Sequence, residues 1–393
     1  ERRDPQLAAG AAVSVRKTRL AAPGPVEVPP QVLEAIARPP LHHRTPAFAQ
    51  LLGRARRLLA DLACVAGDDV AILSGSGTSA FEAAFLAAVP AGAPVLAVRA
   101  GKFGERWADL ARRHGHEVVE VVAPWGESPT EEQVADAVRA RPDVVAATLV
   151  HSETSTGVLH DVRSQARAIR EHAPQARILV DAVTSLAVSE LRPLAWGLDA
   201  VVSGSQKGVM LPPGLGFVWL SGRVRAEPLG PPRAFAADLH AELPAQRQGR
   251  TGTTPAVGLI AGLAAARPLL LGDGIETLWA GRRRLNEAVL AAGEAAGCTR
   301  FAVRASPAVA ALRVPEGVAA ADVVDAFARR GVRIAGGQDE ARPYLIRPSL
   351  LGWADGFDAL GLAGTLESVL RELGRDVPYG ASSAAAAQVL ESG

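Results

Sequence analysis

The chain has 393 residues, 42 Lys and Arg against 41 Asp and Glu, a formal net charge of +1 and 48% hydrophobic residues. That composition excludes a mainly disordered chain and argues against broad nucleic-acid binding, which needs a basic face. Two distant cysteines, Cys64 and Cys298, make neither a disulfide framework nor a paired-cysteine zinc pattern. The expectation is therefore no metal and a cytoplasmic location.

The start, up to about Arg19, reads as an arm, and its opening Glu1-Arg2-Arg3-Asp4 begins no signal-peptide pattern. From about residue 50 to residue 220, short apolar runs alternate with helical patterns. Strands are expected over 70–73, 94–98, 118–122, 144–150, 178–181, 200–202 and 216–220, with helices over 78–89, 104–114, 130–140 and 164–172. Continuous apolar strands separated by helices imply a parallel sheet buried on both faces. A long helical stretch over 256–296, interrupted near Gly272-Asp273-Gly274, changes the pattern. Beyond it, strands over 310–314, 332–334 and 344–347 and helices over 320–330 and 357–373 read as a smaller α+β unit. The Ala/Ser-rich tail from Gly380 reads as loose or as a short docking helix. The expected boundaries are an arm over 1–19, a large domain over 20–265, a small domain over 266–379 and a tail over 380–393. Apolar runs at 83–89 and 259–265 are too short to span a bilayer, so no membrane association is expected.

Five stretches that follow apolar strands carry chemistry. Ser74-Gly75-Ser76-Gly77-Thr78 precedes a helix, and its small residues and free N–H groups suit a phosphate. It reads equally as a capped turn. Asp181 in Val180-Asp181-Ala182-Val183-Thr184-Ser185 ends a strand, where α/β sheets bind ligands. Taken alone it is more often a turn aspartate. Lys207 in Ser203-Gly204-Ser205-Gln206-Lys207 is one of only three lysines, with Lys17 and Lys102, in an arginine-rich chain. An amine there is a candidate Schiff-base former, whereas most lysines are solvated. His151-Ser152-Glu153-Thr154-Ser155-Thr156-Gly157 brings hydroxyls, an imidazole and a carboxylate, or makes a bonded turn. Phe103 in Gly101-Lys102-Phe103-Gly104-Glu105-Arg106 offers an aromatic face, or a core side chain. A parallel sheet gathers these stretches at one edge. Anion cup, acid, amine and stacking surface form the set that pyridoxal phosphate needs.

These motifs resemble the class V aminotransferases of the fold type I pyridoxal-phosphate enzymes, nearest the alanine–glyoxylate and serine–pyruvate group. The likeness runs from Pro23-Gly24-Pro25 to the region of Arg347, and the 26-residue separation of Asp181 and Lys207 fits it. It implies a large domain with a mostly parallel central sheet between helices, plus a smaller α+β C-terminal domain. By resemblance, Lys207 would hold the cofactor as an internal aldimine and shuttle the proton, and Asp181 would keep the pyridine nitrogen protonated. Phe103 and Val183 would pack on the two ring faces. Ser76, Gly77, Thr78 and Gln206 would hold the phosphate, and Thr154 the ring hydroxyl. Thr253, in Arg250-Thr251-Gly252-Thr253-Thr254-Pro255, would reach the phosphate of a partner subunit, which implies a homodimer with shared sites. Arg347 would grip the substrate carboxylate, with Gly24 also at the substrate side.

The resemblance implies a ping-pong transfer from a small amino acid of the alanine or serine type to a small 2-oxo acid of the glyoxylate or pyruvate type. The sequence departs from the pattern at Pro348-Ser349, where the family usually has a small apolar step, and at Arg250, often an aromatic place. His42-His43-Arg44 is open to either a site or a structural role. The pocket departure keeps an alternative in view: a lyase, decarboxylase or epimerase of the same fold acting on a specialised amino acid.

Overall fold

The computed structural model describes residues 17–66, 69–228 and 233–392. The expected arm therefore lies largely outside the described residues. At the centre is a seven-stranded sheet. Its strands, in chain order, are β1 (Val70–Ser74), β2 (Val95–Arg99), β3 (Val118–Val122), β4 (Ala146–Val150), β5 (Arg177–Asp181), β6 (Ala200–Gly204) and β7 (Leu215–Leu220). They lie in the order β1-β7-β6-β5-β4-β2-β3. All neighbouring pairs are parallel except those of β7, which runs antiparallel to both β1 and β6. β7 follows β6 without a crossover helix, and only a crossover could return the chain in parallel.

Each strand feeds two cores by simple alternation. Val70 and Ile72 join one core, while Ala71 and Leu73 join the other. Ile178 and Val180 repeat this opposite Leu179. The first core is closed by the helices Pro46–Leu62, Glu131–Ala140, Val162–His172 and Val257–Ala265. The second is closed by Gly77–Ala88, Lys102–Arg113 and Leu239–Arg247. Burial on both faces explains the unbroken apolar runs, each large aliphatic side chain contributing roughly 2 kcal/mol.

The helix Pro46–Leu62 has local signals the chain reading passed over. Thr45 caps it by accepting the Phe48 N–H, and Pro46 occupies its first turn. C-terminal to the long helix Ile275–Ala295 stands a four-stranded antiparallel sheet, ordered Thr299–Arg300, Leu312–Arg313, Leu345–Arg347 and Ala335–Gly336. Its core draws in Ala21 from the N-terminal side, because Arg19–Leu20 pairs in parallel with Val332–Arg333. The tail is the docked helix Ala381–Glu391, with Ser382 and Ala386 buried. Glu367 anchors it by accepting the N–H groups of Gly380 and Ser382 at 2.7 and 3.1 Å. Among the described residues, no single helix is long and apolar enough to cross a membrane.

Candidate active site

The strands bring four of the five stretches, all but that over 151–157, around one cavity of about 640 Å³ at the carboxyl edge of the sheet. Its walls include Gly24, Ser76, Gly77, Thr78, Phe103, Asp181, Val183, Gln206 and Lys207. Nine of the sequence-predicted site residues therefore share one cavity.

Lys207 lies in the loop between β6 and β7 and is buried. Its Nζ donates to the Pro23 carbonyl. Burial pushes its pKa down to about 8; the Arg347 guanidinium pushes the same way, and Asp181 opposes them. The adjacent Gly24 has φ +126°, and a Cβ there would lie 3.0 Å from Cδ and Cε of Lys207. Glycine is thus required both by conformation and by the amine's stem.

Asp181 ends β5 and is buried. Burial pushes its carboxyl up to about 6; the Val183 N–H, donated to Oδ1 at 2.8 Å, opposes this. Glu153 raises it further, and the charges of Lys207 and Arg106 lower it. A buried acid and a buried amine, each displaced toward neutrality, are the pairing expected at a reactive centre.

Ser76 caps the helix Gly77–Ala88 through a reciprocal pair with Ser79. Helix geometry leaves the first N–H groups without intrahelical partners, and Ser76, Gly77 and Thr78 line the cavity. Gly77 is tightly packed: a Cβ on it would meet Val183 at 3.0 Å, and one on Gly204 would lie 3.3 Å from its Cα. Larger residues would fill the cup from behind.

Phe103 lies in the first turn of the helix Lys102–Arg113. Its backbone N–H, with those of Gly104 and Ser155, is donated to the wholly buried Glu153 carboxylate at 3.1–3.2 Å. Burial pushes Glu153 up, opposed by these bonds and by the Ser155 hydroxyl. Glu153 thus fixes the turn that presents Phe103. The sequence marks Glu153 only as one carboxylate of its stretch; its tie to the Phe103 turn is not legible there, because the Phe103 and Gly104 N–H groups lie about 50 residues away. Arg106, one turn after Phe103, also lines the cavity and was likewise passed over.

Arg347 ends the strand Leu345–Arg347 and is buried. Its Nε donates to the Gly336 carbonyl at 2.8 Å and its Nη1 to the Thr154 carbonyl at 2.6 Å. Burial pushes its pKa down to about 10, with Glu153 opposing. Thr154 is buried, and its hydroxyl pairs with that of Thr184 at 2.6 Å. Neither Arg347 nor Thr154 belongs to the cavity wall itself.

Thr253 is exposed and does not line the cavity of its own chain. Its loop is tied instead to β1, the Ala256 N–H donating to Ser74 Oγ at 2.9 Å. Arg250 pairs with Gln248, and the rings of exposed His42 and half-buried His43 lie tilted with centroids 4.9 Å apart, away from the cavity wall. The departure at Ser349 points into packing: its hydroxyl donates to the Ala308 carbonyl at 2.7 Å and the residue is buried.

Comparison with known proteins agrees with this geometry. The aminotransferase class-V family model matches residues 23–352. The soluble hydrogenase 42 kDa subunit of Anabaena cylindrica is 36% identical over 393 residues, covering 96% of this chain and 99% of that protein. The L-aspartate–glyoxylate aminotransferase of Paracoccus denitrificans is 34% identical over 385 residues, covering 93% and 94%. The crystal structure of a subgroup IV aspartate aminotransferase from Thermus thermophilus superposes with a TM-score of 0.85 at 43% identity, covering 90% of this chain and 99% of that one. A family match over most of the chain, on a fold that gathers the same residues at one sheet edge, makes this protein a member of the class V aminotransferases.

Proposed function

We propose that this chain is a pyridoxal-phosphate-dependent aminotransferase. It would move an amino group from a small amino acid of the alanine or serine type to a small 2-oxo acid of the glyoxylate or pyruvate type, by a ping-pong sequence. The observation that carries the reading is the buried Lys207 amine in one cavity with the buried Asp181 carboxyl and the glycine-lined helix N-terminus. That donor set suits the cofactor: an amine for its aldehyde, an acid for its ring nitrogen and N–H groups for its phosphate. Bound there, pyridoxal phosphate would supply an electron sink for the bond broken at the substrate's Cα.

The remaining work falls to the chain's own residues. Asp181 holds a proton on the ring nitrogen, and its burial strengthens that bond. Phe103 and Val183 bracket the ring, and Ser76, Gly77, Thr78 and Gln206 hold the phosphate end. Lys207, once its amine is free, moves the proton at the substrate Cα. Arg347 presents a guanidinium whose other nitrogens are already fixed on two carbonyls, which pre-orients it for a carboxylate. Thr253 would act across a two-fold interface, on the phosphate of the partner subunit's site.

A second reading, aspartate as the donor, is favoured by the names of two relatives above. The test is direct. The protein loaded with pyridoxal phosphate is given glyoxylate or pyruvate and one amino acid at a time, and glycine or alanine formation is measured. Glycine from glyoxylate with an alanine, serine or aspartate donor, or alanine from pyruvate with a serine or aspartate donor, supports the reading and identifies the donor. No product from any donor, with the cofactor attached, would remove it.

A further inference from the structure

Arg106 lies one turn beyond Phe103 on the helix Lys102–Arg113, with its guanidinium 5.7 Å from the Phe103 ring centroid. Its Nη2 donates to Thr78 Oγ1 at 3.0 Å, in the first turn of the helix Gly77–Ala88. Arg106, Thr78 and Phe103 all line the cavity. Arg106 therefore bridges the aromatic wall to the anion cup.

No ion pair holds its charge elsewhere, although it acts at longer range on Asp181. On the same helix, Lys102 pairs with Asp339 at 2.7 Å and Arg112 with Glu120 at 3.0 Å. Among the described residues Arg106 has no carboxylate within ion-pair distance; its hydrogen bond goes to a neutral hydroxyl. Other charged groups on the wall are differently placed. Lys207 is turned to Pro23, Asp181 ends β5, and Asp109 and Arg113 are opposite charges farther along the helix.

The proposed ligand brings a charge of about −1.5 to −2 on its phosphate. The residues assigned to that phosphate so far, Ser76, Gly77, Thr78, Gln206 and Thr253, are all neutral. A helix N-terminus offers only about half a charge. A doubly charged oxyanion in a partly enclosed cavity needs a cation, and a guanidinium binds phosphate oxygens well.

We propose that Arg106, acting with Thr78, is the cation that binds the cofactor phosphate, and that it selects the phosphorylated cofactor over the free vitamer. The proposal rests on the pyridoxal-phosphate reading above. The test uses ligand-free wild type, Arg106→Gln and Arg106→Lys, titrated by absorbance with pyridoxal phosphate and with pyridoxal at fixed ionic strength. Far-UV and near-UV circular dichroism check each fold.

Arg106→Gln weakens pyridoxal phosphate by about tenfold or more and leaves pyridoxal unchanged, the effect of one charge-assisted contact. Arg106→Lys recovers most of the loss. Inorganic phosphate competes with pyridoxal phosphate for wild type and much less for Arg106→Gln. Equal losses for both ligands would mean a scaffold effect, and unchanged affinities would mean no contact; either overturns the proposal. Wild type that takes up no pyridoxal phosphate overturns the cofactor reading as well, which separates the two failures.

Discussion

Replacing Asp181 with asparagine should stabilise the ligand-free protein above pH 6. Burial raises the Asp181 pKa from its ordinary 3.8 to about 6 in the folded chain. The folded state therefore binds this proton more tightly than the unfolded state. The sign follows: stability is lost as pH rises from about 4 through about 6, and the loss is then constant. A rise of that size corresponds to about 3 kcal/mol. Asparagine keeps an oxygen for the Val183 N–H and carries no charge to bury. The attraction of protonated Lys207 for the ionised carboxylate is already contained in that raised value. Urea unfolding of ligand-free wild type and Asp181→Asn from pH 4 to pH 8 reads the difference. The curves should nearly meet at pH 4 and diverge toward pH 7 in favour of the variant. Parallel curves, or a variant less stable at pH 7, would refute the reasoning. With pyridoxal phosphate bound the order should reverse, because the ring nitrogen then supplies the positive partner for which the acid is buried.

Other consequences are equally open to measurement. Attachment of pyridoxal phosphate to Lys207 needs the neutral amine, so its rate should climb with pH through a midpoint near 8 and level off above it; a flat profile would place the reactive amine elsewhere. Borohydride reduction followed by peptide mapping should find the cofactor on Lys207, and Lys207→Ala should incorporate none. Arg347→Ala should weaken carboxylate substrates by about a hundredfold while changing cofactor affinity little. Because the Arg347 charge helps to depress Lys207, the same variant should move the attachment profile to higher pH. Gly24→Ala forces a Cβ to 3.0 Å from the Lys207 stem at a φ of +126°, and should slow attachment while lowering thermal stability.

Most of the sheet edge was legible in the sequence, because strands buried on both faces leave unbroken apolar runs with small and polar residues directly after them. The runs that became β4, β5 and β6 carry Thr154, Asp181 and Lys207 just beyond or at their ends. What could not be read depends on distant partners. Glu153 gains its meaning from N–H groups of the helix Lys102–Arg113, and Arg106 gains its own from Thr78. Ser349 looked like a pocket departure, yet its hydroxyl satisfies the Ala308 carbonyl inside the protein. The antiparallel run of β7 is set by the missing crossover, not by its residues. The tail's helix is fixed by Glu367, which sequence proximity does not reveal.

The half-reaction tests the central claim most directly. Protein loaded with pyridoxal phosphate is mixed with excess alanine, serine or aspartate and no acceptor, and oxo acid, ammonia and carbon dioxide are measured against the number of sites. One equivalent of 2-oxo acid per site is expected, with the amino group retained on the protein until glyoxylate or pyruvate is added. Continuous release of ammonia or carbon dioxide, or no oxo acid while the cofactor sits on Lys207, would contradict it.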